Sequence, residues 1–138
     1  MNVVLDTNCL LMSLSRKGRY YPVWKDFLSG KYTLCLSNEI LTEYEKILTE
    51  KLGHEIASDV IQAILDMPNT RMVQIYYHLR LVASDPDDDK FVDCAFKTNA
   101  RFIVTQDHHF DMLRRINYPK IDVIGIDRFL ELLKDGVN

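Results

Sequence analysis

Val3-Val4-Leu5-Asp6-Thr7-Asn8 stands near the start of the chain: an unbroken apolar run that ends on an acid and two polar residues. An apolar run this short, with no polar alternation, fits a strand buried on both faces, as strands of parallel sheets are. The pattern returns at Phe102-Ile103-Val104-Thr105-Gln106-Asp107, again with an acid just past the apolar residues. A third such run, Leu34-Cys35-Leu36, lies within a strand expected over 32–36.

Helical segments fill the spaces between these runs. Helices are expected over 10–15 and 23–28, with a basic turn at Arg16-Lys17-Gly18-Arg19 between them. Apolar residues at 40, 41, 44, 47, 48 and 52 follow a period near 3.6 and predict a helix over 38–52, with Gly53 placed to cap its end. Further helices are expected over 56–65, 88–98 and 127–133, and further strands over 72–76 and 121–124. Strands alternating with helices imply crossover connections and a mainly parallel sheet covered on both faces. The expected architecture is one α/β domain over residues 1–138, a three-layer α/β/α sandwich with about four or five strands.

Composition agrees with that frame. The chain has 138 residues, 47% hydrophobic and 27% charged, which excludes a disordered chain and supplies one core. No stretch approaches the roughly 20 apolar residues of a membrane span. The first residues lack the basic segment of a secretory signal. The three cysteines, Cys9, Cys35 and Cys94, are isolated among apolar residues and form no zinc-type pair. A cytoplasmic protein with reduced thiols is expected. The net charge of −3 argues mildly against a nucleic-acid partner. With four of the 20 acids set aside in a metal site, however, 17 basic residues face 16 acids, so a phosphate backbone is not excluded.

Four acids draw attention by position. Asp6 and Asp107 follow apolar strands, and the C-terminal ends of parallel strands share the edge where ligands bind. Asp88 opens a helix that runs back against the strands, so it lies at the same edge. Phe91, Val92 and Ala95 are three, four and seven residues beyond it, which puts Asp88 on the inward face. Asp89 is roughly 100° off that line. Glu43 lies one turn into the helix after the 32–36 strand, between Ile40 and Ile47. Acids packed together repel. A divalent cation removes that conflict, and carboxylate ligation suits Mg²⁺ or Mn²⁺. Two such ions can activate a water and steady the leaving oxygen of a phosphodiester.

The ordered set of segments resembles the PIN-domain nucleases. Asp6-Thr7-Asn8 is similar to their opening, Ser37 to Glu43 to their second acidic segment, and Asp85 to Ala95 with Ala100 to Asp107 to the third and fourth. The resemblance spans nearly the whole chain and is nearest to the VapC-like toxin components of toxin–antitoxin pairs. It implies a Mg²⁺- or Mn²⁺-dependent ribonuclease acting on single-stranded RNA, with catalytic and metal-binding acids Asp6, Glu43, Asp88 and Asp107, and Asp89 as a further contributor. Thr7, Asn8 and Thr105 would orient those acids. An antitoxin protein and a homodimer are the partners it implies. Where the family often carries another acid two residues after Asp107, this chain has His109, with Asp111 beyond it.

Plainer readings compete. Asp6-Thr7-Asn8 can cap a helix. Asp85 and Asp87 read as a solvated loop, and Lys90 and Phe96 exclude a calcium loop of the EF-hand type. His108 and His109 read as polar surface, and His54 and His78 as ordinary surface or helix-start residues. Arg16, Lys17 and Arg19, with Arg114 and Arg115, fit an RNA backbone or plain solvated surface. Tyr20, Tyr21 and Trp24 fit packing better than base stacking. A phosphatase with Asp6 as nucleophile wants a second acid where Asn8 stands, and no glycine-rich turn follows the first strand for a nucleotide cofactor. The alternative function is a PIN-like module that binds RNA or a protein partner without cutting.

Overall fold

The computed structural model describes residues 1–80, 88–116 and 120–136. Five strands form one sheet: β1 (Asn2–Leu5), β2 (Thr33–Ser37), β3 (Thr70–Val73), β4 (Phe102–Val104) and β5 (Val123–Ile124). Their order is β3-β2-β1-β4-β5 and every neighbouring pair is parallel. Six α-helices are described: α1 (Thr7–Met12), α2 (Tyr21–Leu28), α3 (Asn38–Leu52), α4 (His54–Asp66), α5 (Asp89–Thr98) and α6 (Ile126–Lys134). A 3-10 helix, His108–Arg115, follows β4.

The apolar runs became the central strands for the expected reason. Val3, Val4, Leu34, Cys35, Leu36, Ile103 and Val104 are fully buried, with helices against both faces. Successive connections move one way from β1 through β3 and the other way from β3 through β5. Right-handed crossovers therefore lay α5 and the 3-10 helix on the face opposite α1–α4. α6 returns to pack on α2. Burial on both faces adds up: each enclosed Leu, Val or Phe contributes about 1.5–3 kcal/mol. The aromatic part of the core is a tilted chain from Trp24 through Phe27 and Tyr32 to Phe129. Trp24 thus belongs to the core, and Tyr20 donates its hydroxyl to Asp127 at 3.0 Å. All three cysteines are buried and unbridged, and burial pushes the Cys9 thiol up to about 12.

Several boundaries moved. β3 begins at Thr70, two residues before the expected strand, and ends at Val73. The start is fixed by tertiary pairing, Leu34 to Thr70 through Ser37 to Val73, which the local apolar pattern does not carry. Asn69 sets that start, donating to the carbonyls of Phe27 and Tyr32 at 2.9 and 2.8 Å. α4 begins at His54 because Gly53, at φ 90°, turns directly from one helix into the next. The chain after β4, read as a turn around His108, is the 3-10 helix. Asp85 and Asp87 lie outside the described residues.

Candidate active site

The order β3-β2-β1-β4-β5 reverses direction between β1 and β4. The strand ends there leave a crevice between helices that run off to opposite faces, the usual ligand position in such sheets. Register then places the acids. Leu5 pairs with Val104, so the next residues, Asp6 and Thr105, meet at the carboxyl edge. Asp6 donates its backbone N–H to Val104 at 3.0 Å. The Thr105 hydroxyl donates to Asp6 Oδ2 at 2.7 Å and accepts the Asp107 N–H at 3.0 Å. One hydroxyl thus ties the first acid to the last.

Asp6 occupies the N-cap position of α1 but makes no side-chain cap hydrogen bond. Its carboxylate turns to the crevice instead, so helix capping does not account for it. Asp6 is 7% exposed, and burial holds its carboxyl above the ordinary 3.8; the nearby Glu43 and Asp107 charges push the same way, while the Thr105 hydrogen bond opposes them. The backbone carbonyl just before it, on Leu5, accepts from the buried Tyr44 hydroxyl of α3 at 2.6 Å. α3 is thereby fastened to the end of β1, which brings Glu43 to the same edge.

Glu43 accepts the Thr7 hydroxyl on Oε2. Its Oε1 lies 2.7 Å from the Lys90 ammonium. Asp88 is the N-cap of α5, also without a side-chain cap bond. Its Oδ2 lies 3.2 Å from His109 Nδ1. The same nitrogen is 3.2 Å from Asp107 Oδ1. Asp107 caps the 3-10 helix by accepting the His109 N–H at 2.9 Å, and this fixes the imidazole over the acids. Among the described residues, one group has metal-ligand geometry: Asp88, Asp107 and His109 each offer an atom within 4.8 Å of the others.

The structure therefore brings Asp6 and Asp107 together through Thr105, Asp107 and Asp88 through His109, and Glu43 to Asp6 through Thr7. Asp89 stands in the first turn of α5, outside the ligand group. Asn8 is exposed on α1. Arg16 and Lys17 are exposed, whereas Arg19 pairs with Asp127 of α6 at 3.1 Å.

Sequence reading missed three contributions. His109, read as surface, faces the acids; only its place two residues after Asp107 signalled that. His108 fits the surface reading, pairing with Asp111 at 3.2 Å. Lys90 reaches the crevice from α5, and nothing in its spacing marks a lysine as inward. Gln106 accepts the Ile126 N–H at the start of α6 at 2.9 Å, which anchors the loop carrying Asp107. A side chain at Gly125 would come within 2.8 Å of that same Gln106 oxygen, so glycine permits the anchor. His78, another residue read as plain surface, lies 2.9 Å from the buried carboxylate of Asp93.

An open parallel sheet with carboxylates and an imidazole at its switch point defines an α/β protein with a candidate divalent-metal centre. The family model described as PIN domain matches residues 2–109, and the chain belongs to the PIN-domain family. Two solved structures share the fold. The VapBC2 complex from Rickettsia felis bound to a promoter DNA fragment matches at TM-score 0.62 and 17% identity, over 91% of this chain and 98% of that one. The DNA-bound VapBC complex from Salmonella typhimurium matches at TM-score 0.61 and 16% identity, over the same shares. No curated protein matches the sequence. Among the described residues, no helix is long and apolar enough to cross a membrane.

Proposed function

We propose that this chain is a Mg²⁺- or Mn²⁺-dependent endoribonuclease that cleaves single-stranded RNA, and that it serves as the toxin of a toxin–antitoxin pair. The observation that carries the reading is the meeting of Asp88, Asp107 and His109 at the sheet's switch point, beside Asp6 and Glu43. Membership of a family whose members are generally nucleases supports it. Two VapBC complexes with the same fold support an antitoxin chain as partner. A homodimer is part of the same proposal.

Asp88, Asp107 and His109 would hold the cation, with Asp6 completing the negative wall behind them. The bound ion would supply charge neutralisation at the phosphodiester and a nucleophilic water at neutral pH. The chain's own work is positional. Thr105 fixes Asp6 and Asp107 relative to each other. Thr7 orients Glu43, and the His109 N–H holds Asp107 in place. Arg16 and Lys17, exposed on the α1–α2 turn, would meet the strand's phosphates.

The test is cleavage of an end-labelled single-stranded RNA with Mn²⁺ or Mg²⁺, beside an EDTA control and Asp107→Asn. Metal-dependent cutting that the variant loses is the expected result. Cutting that survives in the variant or in EDTA would sink the nuclease reading. Metal binding without cutting would favour the binding module. Mixed nitrogen and oxygen ligation also sets metal preference, since imidazole suits transition ions better than Mg²⁺. His109→Ala is expected to weaken Mn²⁺ binding about tenfold, or about 1.4 kcal/mol, and to leave Mg²⁺ binding within about threefold. Calorimetry with each ion checks this; equal losses for both would remove His109 from the ligand set.

A further inference from the structure

Lys90 occupies an unexpected place. It is the second residue of α5, where the helix dipole disfavours a cation. Its side chain is only 13% exposed, and its ammonium sits 2.7 Å from Glu43 Oε1. Neither helix stability nor solvent exposure explains a lysine there. The neighbouring acids do, because a buried ammonium needs an opposite charge.

The consequence falls on Glu43. One of its oxygens takes the Thr7 hydroxyl and the other faces Lys90, so both are engaged. Among the described residues, the group with metal-ligand geometry is Asp88, Asp107 and His109, and Glu43 is not in it. A divalent ion placed at Glu43 would lie against the ammonium and be repelled by it.

We propose that Lys90 supplies the second positive charge of this site, so that the cleft takes one divalent ion at Asp88, Asp107 and His109, while Glu43 holds the ammonium and does not ligate metal. The inference rests on the metal-dependent reading above. Asp88 is the N-cap of α5 and Lys90 its second residue, so one helix start carries both a ligand and the fixed cation.

The test is Mn²⁺ stoichiometry by calorimetry, with electron paramagnetic resonance reporting any magnetic coupling between neighbouring ions. Wild type and Lys90→Arg are expected to bind one Mn²⁺ per chain. Lys90→Gln frees Glu43 and is expected to bind two, with a coupled spectrum. Lys90→Gln combined with Glu43→Gln is expected to return to one. Two Mn²⁺ in the wild type, or one in Lys90→Gln, would overturn the proposal and leave the metal-dependent reading standing. No Mn²⁺ in the wild type would overturn both. Circular dichroism confirms that each variant folds. If Lys90→Gln does not, Glu43→Gln alone decides. Mn²⁺ affinity within about threefold of wild type supports the proposal, and a loss of tenfold or more overturns it.

Discussion

Asp6→Asn is expected to lose RNA cleavage by roughly 100-fold or more, the scale of removing one charge-stabilising group from a reacting site. The same substitution is expected to raise the melting temperature of the metal-free protein by a few degrees. Both effects follow from one placement. Asp6 is nearly buried and faces other acids, which holds its carboxyl above the ordinary 3.8. The ionised form is therefore disfavoured by the fold. The stability associated with its protonated form is complete below that ordinary value and is lost as pH rises through the elevated one. Asparagine keeps the shape, still accepts the Thr105 hydroxyl, and carries no charge to bury. Its melting curve should accordingly lose part of the decline that the wild type shows as pH rises above the ordinary carboxylate value. Thermal scans in EDTA across that range, paired with the cleavage assay, check both halves. A variant that melts lower at neutral pH, or still cuts, would refute the assignment of Asp6 as a strained site acid.

Phe91→Ala is expected to cost about 3–5 kcal/mol, against a total stability of about 5–15 kcal/mol. Phe91 is 1% exposed on α5. Its ring meets Phe110 edge-on at 6.4 Å, which docks the 3-10 helix onto α5. Asp88 is the N-cap of α5, and the 3-10 helix carries His109. Losing the Phe91 ring should loosen the approach of those two proposed ligands as well as the core. The expected signature is a melting temperature lowered by roughly 10–17 °C and Mn²⁺ affinity reduced in protein that remains folded. Thermal unfolding gives the first quantity, urea titration the free-energy loss and calorimetry the affinity. A stability loss below about 1 kcal/mol would show that the site relaxes around the gap. Unchanged Mn²⁺ affinity would show that the ligands do not depend on this packing.

Much of the architecture was legible because burial on both faces leaves a mark in the sequence. Val3-Val4-Leu5, Leu34-Cys35-Leu36 and Phe102-Ile103-Val104 have no polar alternation, and all three lie in central strands. The helix over 38–52 was readable to the residue, because its period is long and Gly53 ends it with a positive φ. β3 was misplaced by two residues because it is a sheet-edge strand, half covered, whose register is set by β2 and by the Asn69 clamp. The 3-10 helix was missed because it is short and opens on two histidines that read as polar surface, although Phe110 and Leu113, three residues apart, are its buried face.

The acids divide in the same way. That Asp6, Glu43, Asp88 and Asp107 stand near one edge follows from strand ends and helix starts, which sequence order supplies. How they connect does not. Thr105 bridges Asp6 and Asp107 because Leu5 pairs with Val104. Glu43 meets Lys90 because Tyr44 fastens α3 to the end of β1. His109 lies over the acids from the exposed side because Asp107 caps its helix. Sequence alone determined an α/β chain with acids at the carboxyl ends of buried strands, since hydrophobic runs and chain order are local properties. Only the tertiary structure decided which charges face one another, since contact between an ammonium, an imidazole and a carboxylate depends on the register of strands far apart in the chain.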